Sequence, residues 1–395
     1  MSDETNLYVA DRVKDLSASP TVAVMDQARK LKSAGEPVVD LSGGDPDFET
    51  APHVTEAAIS ALKKGFTHYT PSKGIPELLK AIANKTEKEN HAVYDPKTQV
   101  LVTPGAKTAL YTACQAVLNP GDEAILFDPF WVSYEPCVQL AGGNCKYVTV
   151  SYGTTVEELK ANLEKVVSKR TRMMILNSPN NPSGFIWSKD LLQVVADFAQ
   201  AHGLFVISDE IYEKLTFVDE APVSIASLPG MDKHALILNG LSKSHAMTGW
   251  RLGWMLGPAK VIGQMTKIHS HSTTCAPSFV QVGAVAALEG PDEYTTYMVG
   301  RYKTRRDNLT AGLNKIKGIH CDLVSGAFYA FPSIAETGMD DMLFASQLLE
   351  KELVAATPGS AFGPAGVGHI RLSFANSDEM LAEAVVRIER FVANL

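Results

Sequence analysis

Residues 239–253 read Asn239-Gly-Leu-Ser-Lys-Ser-His-Ala-Met-Thr-Gly-Trp-Arg-Leu-Gly253 and directly follow the apolar run Ala235-Leu-Ile-Leu238. The segment places Lys243 in a turn of small residues at the end of a predicted strand, with Arg251 eight residues later. Partial desolvation and a nearby cation both disfavour the ammonium form, so we expect a neutral, nucleophilic amine at Lys243. Such an amine can form a Schiff base with an aldehyde, and the guanidinium of Arg251 can bind a phosphate with two hydrogen bonds.

Pyridoxal 5'-phosphate (PLP) carries both an aldehyde and a phosphate, and it is the cofactor that this pair of residues predicts. An isolated Ser-Lys dipeptide would more often be a solvated loop. The prediction therefore depends on what the rest of the chain places around Lys243.

Length and composition bound the kinds of protein that the chain can be. Its 395 residues are 45% hydrophobic and 20% charged, which is typical of a large core plus a smaller domain. A net charge of -8 argues against nucleic acid or an anionic membrane as a partner. The acidic N-terminus resembles no targeting segment, and no apolar run approaches the roughly 20 residues of a membrane span. Five scattered cysteines predict reduced thiols and no metal site, so we expect a cytoplasmic protein.

Short apolar runs alternate with helical patterns over residues 46–290. The runs are Val100–Thr103, Glu123–Phe127, Met173–Leu176, Leu204–Ser208, Ala235–Leu238 and Leu252–Leu256. This alternation predicts a large α/β domain with a mostly parallel sheet buried on both faces. From about Pro291 a long charged helix, short apolar runs and a last helix predict a smaller α+β domain over residues 291–395. We expect residues 1–45 to form an arm and a helix that pack with this smaller domain.

Two further motifs could hold a cationic aromatic ring beside Lys243. Asp209, in Ser208-Asp-Glu-Ile-Tyr212, ends a buried-looking run, and open α/β sheets bind ligands at the carboxyl edge of their strands. Its carboxylate could pair with a protonated pyridine nitrogen, or could equally cap the next helix. Tyr212 could donate to the phenolic oxygen of the ring. The loop Asn177-Ser-Pro-Asn-Asn-Pro-Ser-Gly184 is stiffened by two prolines, so the amide of Asn181 is a second candidate donor.

Two other motifs are candidate anion sites. The turn before the helix at residue 106 leaves the amides of Gly105, Ala106 and Lys107 free at a helix N-terminus, where phosphates bind. The side chain of Lys107 adds a positive charge. Arg371 lies within an apolar alternation, where an unpaired charge is costly. Its guanidinium suits a substrate α-carboxylate, although an ion pair with a local glutamate would also satisfy it.

Taken together, the order and spacing of these motifs resemble the class I/II aminotransferases of PLP fold type I, and in particular the bacterial-type aspartate aminotransferases. The resemblance runs from about Ser17 to the C-terminus. It implies a fold-type I PLP-transferase, with a mostly parallel central sheet in the large domain and a smaller α+β domain. It also implies a homodimer with shared active sites, which transfers an amino group from an L-amino acid to a 2-oxo acid by a ping-pong mechanism.

The resemblance assigns a role to individual residues. Lys243 would bind PLP and move the α-proton of the substrate, Asp209 would pair with the pyridine nitrogen, and Tyr212 would bond the ring oxygen. The implied cofactor-binding residues are Tyr69, Gly105, Ala106, Lys107, Trp131, Asn181, Asp209, Tyr212, Lys243 and Arg251, with Tyr69 reaching the phosphate of the neighbouring subunit. The implied substrate-binding residues are Thr21, Gly44, Lys107, Trp131, Asn181 and Arg371. The family often has a hydroxyl at the position of Gly240, so one phosphate contact is missing here.

The implied substrate is less sharply defined. In the resembled subgroup, a lysine at position 107 and a threonine at position 21 recognise a distal carboxylate, which favours aspartate or glutamate. The same pair occurs in relatives that aminate prephenate. The segments Leu241–Trp250 and Ala361–His369 also resemble a branch that transaminates arginine with pyruvate. The sequence further leaves open an aromatic donor, a PLP β-lyase, decarboxylase or racemase, and a non-enzymatic sensor domain.

Overall fold

The fold is that of a computed structural model, which describes residues 9–14, 16 and 20–395, without the side chains of residues 20–23. The α-helices are α1 Asp11–Lys14, α2 Pro20–Ser33, α3 Pro52–Lys63, α4 Pro76–Asn90, α5 Ala106–Val117, α6 Tyr134–Leu140, α7 Val156–Val166, α8 Lys189–His202, α9 Ala259–Ser272, α10 Ser278–Glu289, α11 Glu293–Leu313, α12 Asp341–Glu352 and α13 Asp378–Ala393. The strands are β1 Val39–Asp40, β2 Val100–Thr103, β3 Glu123–Asp128, β4 Asn144–Thr149, β5 Thr171–Asn177, β6 Phe205–Asp209, β7 Ala235–Gly240, β8 Gly253–Leu256, β9 Tyr329–Ala330, β10 Val354–Ala355, β11 Thr357–Pro358 and β12 Ile370–Ser373.

A seven-stranded sheet with the order β2-β8-β7-β6-β5-β3-β4 forms the centre of the large unit. Neighbouring strands pair in parallel except at β8, which runs antiparallel to both β2 and β7. The predicted α/β fold with a mostly parallel sheet is therefore confirmed. Strands β2, β3, β5, β6 and β7 all end at one edge of this sheet, and β8 begins there, so the loops at this edge converge.

Both faces of the sheet are buried, as the continuous apolar runs predict. Along β5, Met174 and Leu176 belong to one apolar cluster, while Met173 and Ile175 belong to another on the opposite face. Helices α3, α4, α7, α8 and α10 cover the first face, and α5, α6 and α9 cover the second. Each helix buries an apolar stripe against the sheet, which stabilises the large unit as a sandwich of three layers.

The edge strand β4 has no counterpart among the predicted runs. Most of its side chains are exposed or half-buried, with Val148 the buried exception. An edge strand with a polar surface carries no apolar run, so only its parallel pairing with β3 identifies it.

A further apolar cluster, separate from the two that cover the large sheet, organises the C-terminal part of the chain. It joins α11, α12 and α13 to the antiparallel sheet β11-β12-β9 and to Val39 of β1. Strand β1 pairs in parallel with β10, and Ala28 of α2 packs against Leu349 and Ala355. The segment that follows α2 thus reaches the large sheet from the side of the C-terminal unit. Within the described residues, no helix is long and apolar enough to cross a membrane.

Candidate active site

The sequence motifs meet in one cavity of about 300 Å³ at the carboxyl edge of the large sheet. The predicted residues that line it are Gly44, Ala106, Lys107, Trp131, Asn181, Asp209, Tyr212, Lys243, Arg251 and Arg371. Most of them lie at or just beyond the ends of β2, β5, β6 and β7, whereas Gly44 follows β1 and Arg371 lies on β12. The cavity is therefore closed by loops of the large sheet together with elements of the C-terminal part of the chain.

Lys243 lies in the turn after β7, and its amine points into the cavity. The Nζ atom donates to the backbone carbonyl of Gly44 at 2.5 Å. Burial, together with the positive charges of Arg371 and Arg251, lowers the pKa of the Lys243 amine to about 8, although Asp45 and Asp209 act in the opposite direction. About a tenth of the amine is then neutral at pH 7, far more than for an ordinary lysine, and the neutral form is the one that a nucleophile or a general base requires.

Asp209 ends β6 and is buried at the floor of the cavity. Burial raises the pKa of its carboxyl to about 6, while hydrogen bonds from the Tyr134 hydroxyl and the Ile211 amide lower it. Tyr134 donates to Oδ2 at 2.7 Å, and the amide of Ile211 donates to Oδ1 at 3.2 Å. The carboxylate is thus oriented from both sides, and a cationic ring nitrogen would compensate its buried charge.

Tyr212 and Asn181 lie next to Asp209 at the same edge. The Nδ2 atom of Asn177 donates to the backbone carbonyl of Asp209 at 2.8 Å, and its Oδ1 atom accepts from the backbone amide of Asn181 at 2.7 Å. The hydroxyl of Tyr212 lies 3.0 Å from that of Tyr329. Asn177 therefore locks the two loops that carry the candidate ring donors into one frame.

Arg371 is buried and has no carboxylate partner among the described residues. Its Nη1 donates to Oδ1 of Asn181 at 3.0 Å, and its Nη2 donates to the carbonyl of Ser42 at 2.6 Å. The guanidinium also lies 4.4 Å from the ring centre of Tyr329, and its Nε has no hydrogen-bond partner. The alternative of an ion pair with a local glutamate is thus not observed among the described residues, and the uncompensated cation can bind a carboxylate.

The opposite end of the cavity is built from glycine and Arg251. Gly105 adopts φ +85° before α5, and a Cβ there would lie 2.5 Å from Nη2 of Arg251. Its amide donates to the carbonyl of Thr103 at 2.7 Å, so the expectation of a free Gly105 amide is wrong. The turn itself uses that donor. The amides of Ala106 and Lys107 open α5, which has no side-chain cap.

Gly240, where the resembled family often has a hydroxyl, lies at the close antiparallel contact of β7 with β8. A Cβ on Gly240 would meet the Leu252 carbonyl at 3.0 Å and the Gly253 Cα at 3.1 Å. Ser242 lines the cavity together with Arg251 and is the nearest hydroxyl that the turn after β7 provides. A side chain at Gly240 would therefore require the paired strands to move apart by a few tenths of an ångström.

Lys107 and Trp131 form the outer wall of the cavity. The Nζ of Lys107 lies 5.0 Å from the ring centre of Trp131, within range of a cation–π contact. The indole in turn packs edge-on against Tyr134, with ring centres 5.6 Å apart. Lys107 is exposed and has no carboxylate partner among the described residues, which leaves its charge available to a ligand.

Two predicted residues, Gly105 and Tyr69, are not among those that line the cavity in the single chain. Tyr69 is 86% exposed and lines a separate surface hollow with Phe66, Pro71 and Ile75. Thr21 lies in α2, but its side chain is outside the described residues. Ser242, which was expected with Lys107 to replace the phosphate contact missing at Gly240, also lines the cavity. Other lining residues had no predicted role, namely Met25, Val132, Asn177, Ile211, Thr248 and Tyr329. Tyr134 is the clearest omission, since it lies three residues after Trp131 in an aromatic motif and bonds Asp209.

The chemistry of the cavity fits PLP on three observations. A buried guanidinium nitrogen without a partner marks a carboxylate subsite, and the Gly105 turn leaves space beside Arg251 that a Cβ would fill. Between these two ends lie an amine, a buried carboxylate and a phenol. The amine can react with the aldehyde of the cofactor, the carboxylate can accept from its ring nitrogen, and the phenol can donate to its ring oxygen. The fold and this site define a PLP-dependent transferase.

The family model for aminotransferase class I and II matches residues 36–388, and the chain belongs to this family. It is a PLP-dependent aminotransferase. An aspartate aminotransferase of Musicola paradisiaca is 41% identical over 378 residues, which cover 95% of this chain and 94% of that protein.

Solved structures agree with this assignment. The aspartate aminotransferase of Thermus thermophilus with maleate has a TM-score of 0.91 and 38% identity, over 97% of this chain and 99% of its own. The aromatic aminotransferase of Pyrococcus horikoshii has a TM-score of 0.87 and 40% identity, over 93% of this chain and 99% of its own. The similarity extends over nearly the whole of each chain, so it includes both the large sheet and the C-terminal unit.

Proposed function

We propose that this enzyme transfers the amino group of an acidic L-amino acid, aspartate or glutamate, to a 2-oxo acid such as 2-oxoglutarate or oxaloacetate. The observation that carries the proposal is the pair of unpaired cations in one cavity, Arg371 inside and Lys107 at the outer wall. Two cations suit a substrate with two carboxylates. The similar Musicola and Thermus proteins are aspartate aminotransferases, and maleate, which the Thermus structure contains, is a dicarboxylate.

The residues divide the reaction among them in this proposal. PLP, when bound, supplies the electron sink that makes the α-proton of the substrate acidic. Lys243 would remove that proton from the α-carbon and deliver it to the carbon that carries the aldehyde in free PLP. This task suits an amine with a pKa near 8. Asp209 keeps the ring nitrogen protonated, and Tyr212 and Asn181 donate to the ring oxygen. Arg371, with the backbone of Gly44 beside it, holds the α-carboxylate.

The remaining contacts belong to the phosphate and to the faces of the ring. Arg251, the amides that open α5 and the hydroxyl of Ser242 surround the phosphate, with Lys107 nearby. Trp131 stacks on the ring from the outer side. We assign the distal carboxylate to Lys107 and Thr21, since an ammonium and a hydroxyl together can bond both carboxylate oxygens.

A second candidate substrate class is favoured by two apolar lining residues. Met25 and Val132 lie in the cavity wall beside Trp131, where they could contact an aromatic or aliphatic side chain. The Pyrococcus relative is an aromatic aminotransferase. An arginine donor is disfavoured because Asp209 is the single acidic side chain among the described lining residues, and it is committed to the ring.

The proposal includes a homodimer with shared sites, formed by a cytoplasmic protein with no nucleic-acid or membrane partner. Tyr69 supports it, since an 86% exposed tyrosine beside exposed Phe66 is unusual in a monomer. We assign the phenol of Tyr69 to the phosphate of the other subunit. The domain division at residues 45 and 290 is also part of the proposal, and the pairing of β1 with β10 supports it.

Mixing two inactive variants tests the shared site. Lys243→Ala protomers keep Tyr69, and Tyr69→Phe protomers keep Lys243, so a mixed dimer contains one site with both native residues. If sites are shared, mixing restores native PLP affinity in a fraction of sites. If each site is built from one chain, mixing leaves the affinity of every site as it was.

The substrate class is tested by an absorption spectrum of the purified holoenzyme, titrated with single amino acids in the absence of any oxo acid. A visible band of bound PLP should convert to the pyridoxamine form. Aspartate or glutamate should do so at the lowest concentration, and phenylalanine or leucine at higher ones. Conversion by arginine alone, or by aromatic donors at lower concentration than acidic ones, would contradict the proposed substrate.

A further inference from the structure

The hydroxyls of Tyr212 and Tyr329 face each other at 3.0 Å beneath the cavity. Both side chains are buried, and the two rings pack edge-on with centres 5.9 Å apart. Tyr329 had no assigned role, because on β9 it reads as one more aromatic residue of an apolar run. Its single hydrogen-bond partner among the described residues is Tyr212.

Each phenol has one proton, and only one of the two can lie between the oxygens. Both phenols line the cavity, so either of the outer protons could meet a ligand there. If Tyr212 donated to Tyr329, however, Tyr212 would have no proton left for the ring oxygen of the cofactor. If Tyr329 donates instead, the Tyr212 proton is free to point into the cavity. The proposed role of Tyr212 as a donor to the ring oxygen therefore requires Tyr329 to be the donor of the pair.

One neighbour favours this direction of donation, and another allows the two hydroxyls to meet. The guanidinium of Arg371 lies 4.4 Å from the ring centre of Tyr329, and a cation over the ring makes that phenol a stronger donor. On the other side, a Cβ on Gly44 would lie 2.5 Å from the Tyr329 oxygen, so the chain at Gly44 closes over this hydroxyl. Glycine at position 44 is therefore what allows Tyr329 to reach Tyr212.

We propose that Tyr329 is a positioning residue, whose hydroxyl donates to that of Tyr212 and turns the Tyr212 proton toward the ring oxygen of PLP. The inference rests on the proposed role of Tyr212 in cofactor binding. Hydrogen bonds in a chain strengthen one another by roughly 10–30% each, so Tyr329 makes Tyr212 a better donor. Arg371 would thereby be linked, through Tyr329 and Tyr212, to the ring oxygen of the cofactor.

The test is a pH titration of the visible absorbance of bound PLP in four holoenzymes, namely wild type, Tyr212→Phe, Tyr329→Phe and the double variant. A donor to the ring oxygen stabilises its anion, so loss of the Tyr212 hydroxyl should raise the spectroscopic pKa. Tyr329→Phe should raise it in the same direction by about a few tenths of a unit, since it only weakens that donor. In the Tyr212→Phe background, Tyr329→Phe should have no further effect.

The other charged groups near the two phenols are Asp209, Asp45 and Arg371, and all four proteins retain them. Tyr94→Phe is the matched control, because Tyr94 is buried outside the cavity and its hydroxyl has no hydrogen-bond partner. Its spectroscopic pKa should equal that of the wild type. Thermal unfolding of each variant verifies that the fold is intact.

The outcomes distinguish the proposed role of Tyr329 from the proposed role of Tyr212, on which it rests. If Tyr212→Phe leaves the spectroscopic pKa unchanged, the role of Tyr212 itself is wrong, and the inference falls with it. If Tyr212→Phe raises the pKa but Tyr329→Phe lowers it or leaves it unchanged, Tyr329 competes for the proton or is inert, and only the inference is overturned. An equal shift by Tyr329→Phe in both backgrounds would show an effect independent of Tyr212 and would also overturn it.

Discussion

The amine of Lys243 and the backbone carbonyl of Gly44, 199 positions apart in the chain, are joined by a hydrogen bond of 2.5 Å. Gly44 follows β1, which pairs with β10 of the C-terminal unit, whereas Lys243 follows β7 of the large sheet. The reactive amine therefore contacts both parts of the molecule. A carbonyl acceptor favours the charged amine, and burial beside Arg371 and Arg251 opposes it.

The pKa of about 8 predicts how the Lys243 amine reacts in the cofactor-free protein. Acetylation by dilute acetic anhydride should reach half of its maximal rate near pH 8, because only the neutral amine is nucleophilic. Mass spectrometry of the Lys243 peptide across pH measures this rate. Exposed Lys260 provides the internal standard for the amount of reagent and for peptide recovery. A half-maximal rate for Lys243 near pH 10, the ordinary range of a lysine, would contradict the effect of burial.

Lys243→Ala should abolish transamination while leaving the cavity able to bind PLP without a covalent bond. The loss in kcat should be at least about 10²–10⁴-fold, the range for removal of a positioned acid–base group. Steady-state kinetics and borohydride reduction, followed by mass spectrometry of the protein, measure the two effects. Full activity in this variant would end the assignment of Lys243.

Lys107→Gln should impair acidic substrates more than aromatic or aliphatic ones. A hydrogen bond to a charged group contributes about 1.5–3 kcal/mol, which corresponds to roughly 10- to 150-fold in kcat/KM for aspartate or glutamate. Measurement of kcat/KM for aspartate and phenylalanine with the same oxo acid tests this. Equal losses for the two donors would show that Lys107 serves only the phosphate.

Asp209→Asn should change how the stability of the cofactor-free protein depends on pH. Burial raises the pKa of Asp209 from 3.8 to about 6, so the folded state binds the proton more tightly than the unfolded state. As the pH rises from about 4 to about 6, the wild type therefore loses up to about 3 kcal/mol of unfolding free energy, whereas asparagine loses none. Urea denaturation at pH 4 and pH 7 measures the difference between variant and wild type. A difference that stays the same at both pH values would contradict the buried, ionised carboxylate.

Glu213→Gln should destabilise the protein, because the buried ammonium of Lys85 loses one of its two carboxylate partners among the described residues and keeps Glu89 at 3.4 Å. The loss should stay below the about 3–5 kcal/mol expected when a buried charge is left fully unpaired. Glu213 also accepts from Asn239 at 2.7 Å, and Asn239 accepts from the amide of Gly240 at 2.7 Å. The network thus joins the segment of Tyr212 to the turn of Lys243. Urea denaturation of Glu213→Gln and of Lys85→Met/Glu213→Leu measures the effect, and the apolar pair should recover part of the loss. A loss no greater in the single variant than in the apolar pair would argue against an unpaired buried charge.

Candidate residues that a local motif indicates could be predicted from the sequence, and the structure places them in one cavity. Lys243, Asp209 and Asn181 each follow a predicted strand, and the parallel sheet then brings the ends of those strands together. Arg371 was found because a charge within an apolar run needs a partner. These inferences depend on short-range order and on one general property of parallel sheets.

Residues whose role depends on a distant partner were missed. Tyr134 bonds Asp209 across 75 positions, and Tyr329 meets Tyr212 across 117. Both are aromatic residues in apolar surroundings, where burial alone explains them. The free amide expected at Gly105 was wrong for a related reason, since the turn at φ +85° directs that amide to the Thr103 carbonyl.

The sequence by itself determined the α/β class and the cofactor chemistry, and it indicated Lys243 as the candidate reactive lysine, because periodicity, turn residues and charges in apolar runs act over a few neighbouring positions. Only the tertiary structure decided which hydroxyl orients Asp209, which hydroxyl faces Tyr212, and that the Gly44 carbonyl reaches Lys243. Those relationships arise where loops from different strands and from the C-terminal unit pack against one another. The packing of distant segments sets distances of about 3 Å that no local pattern of residues encodes.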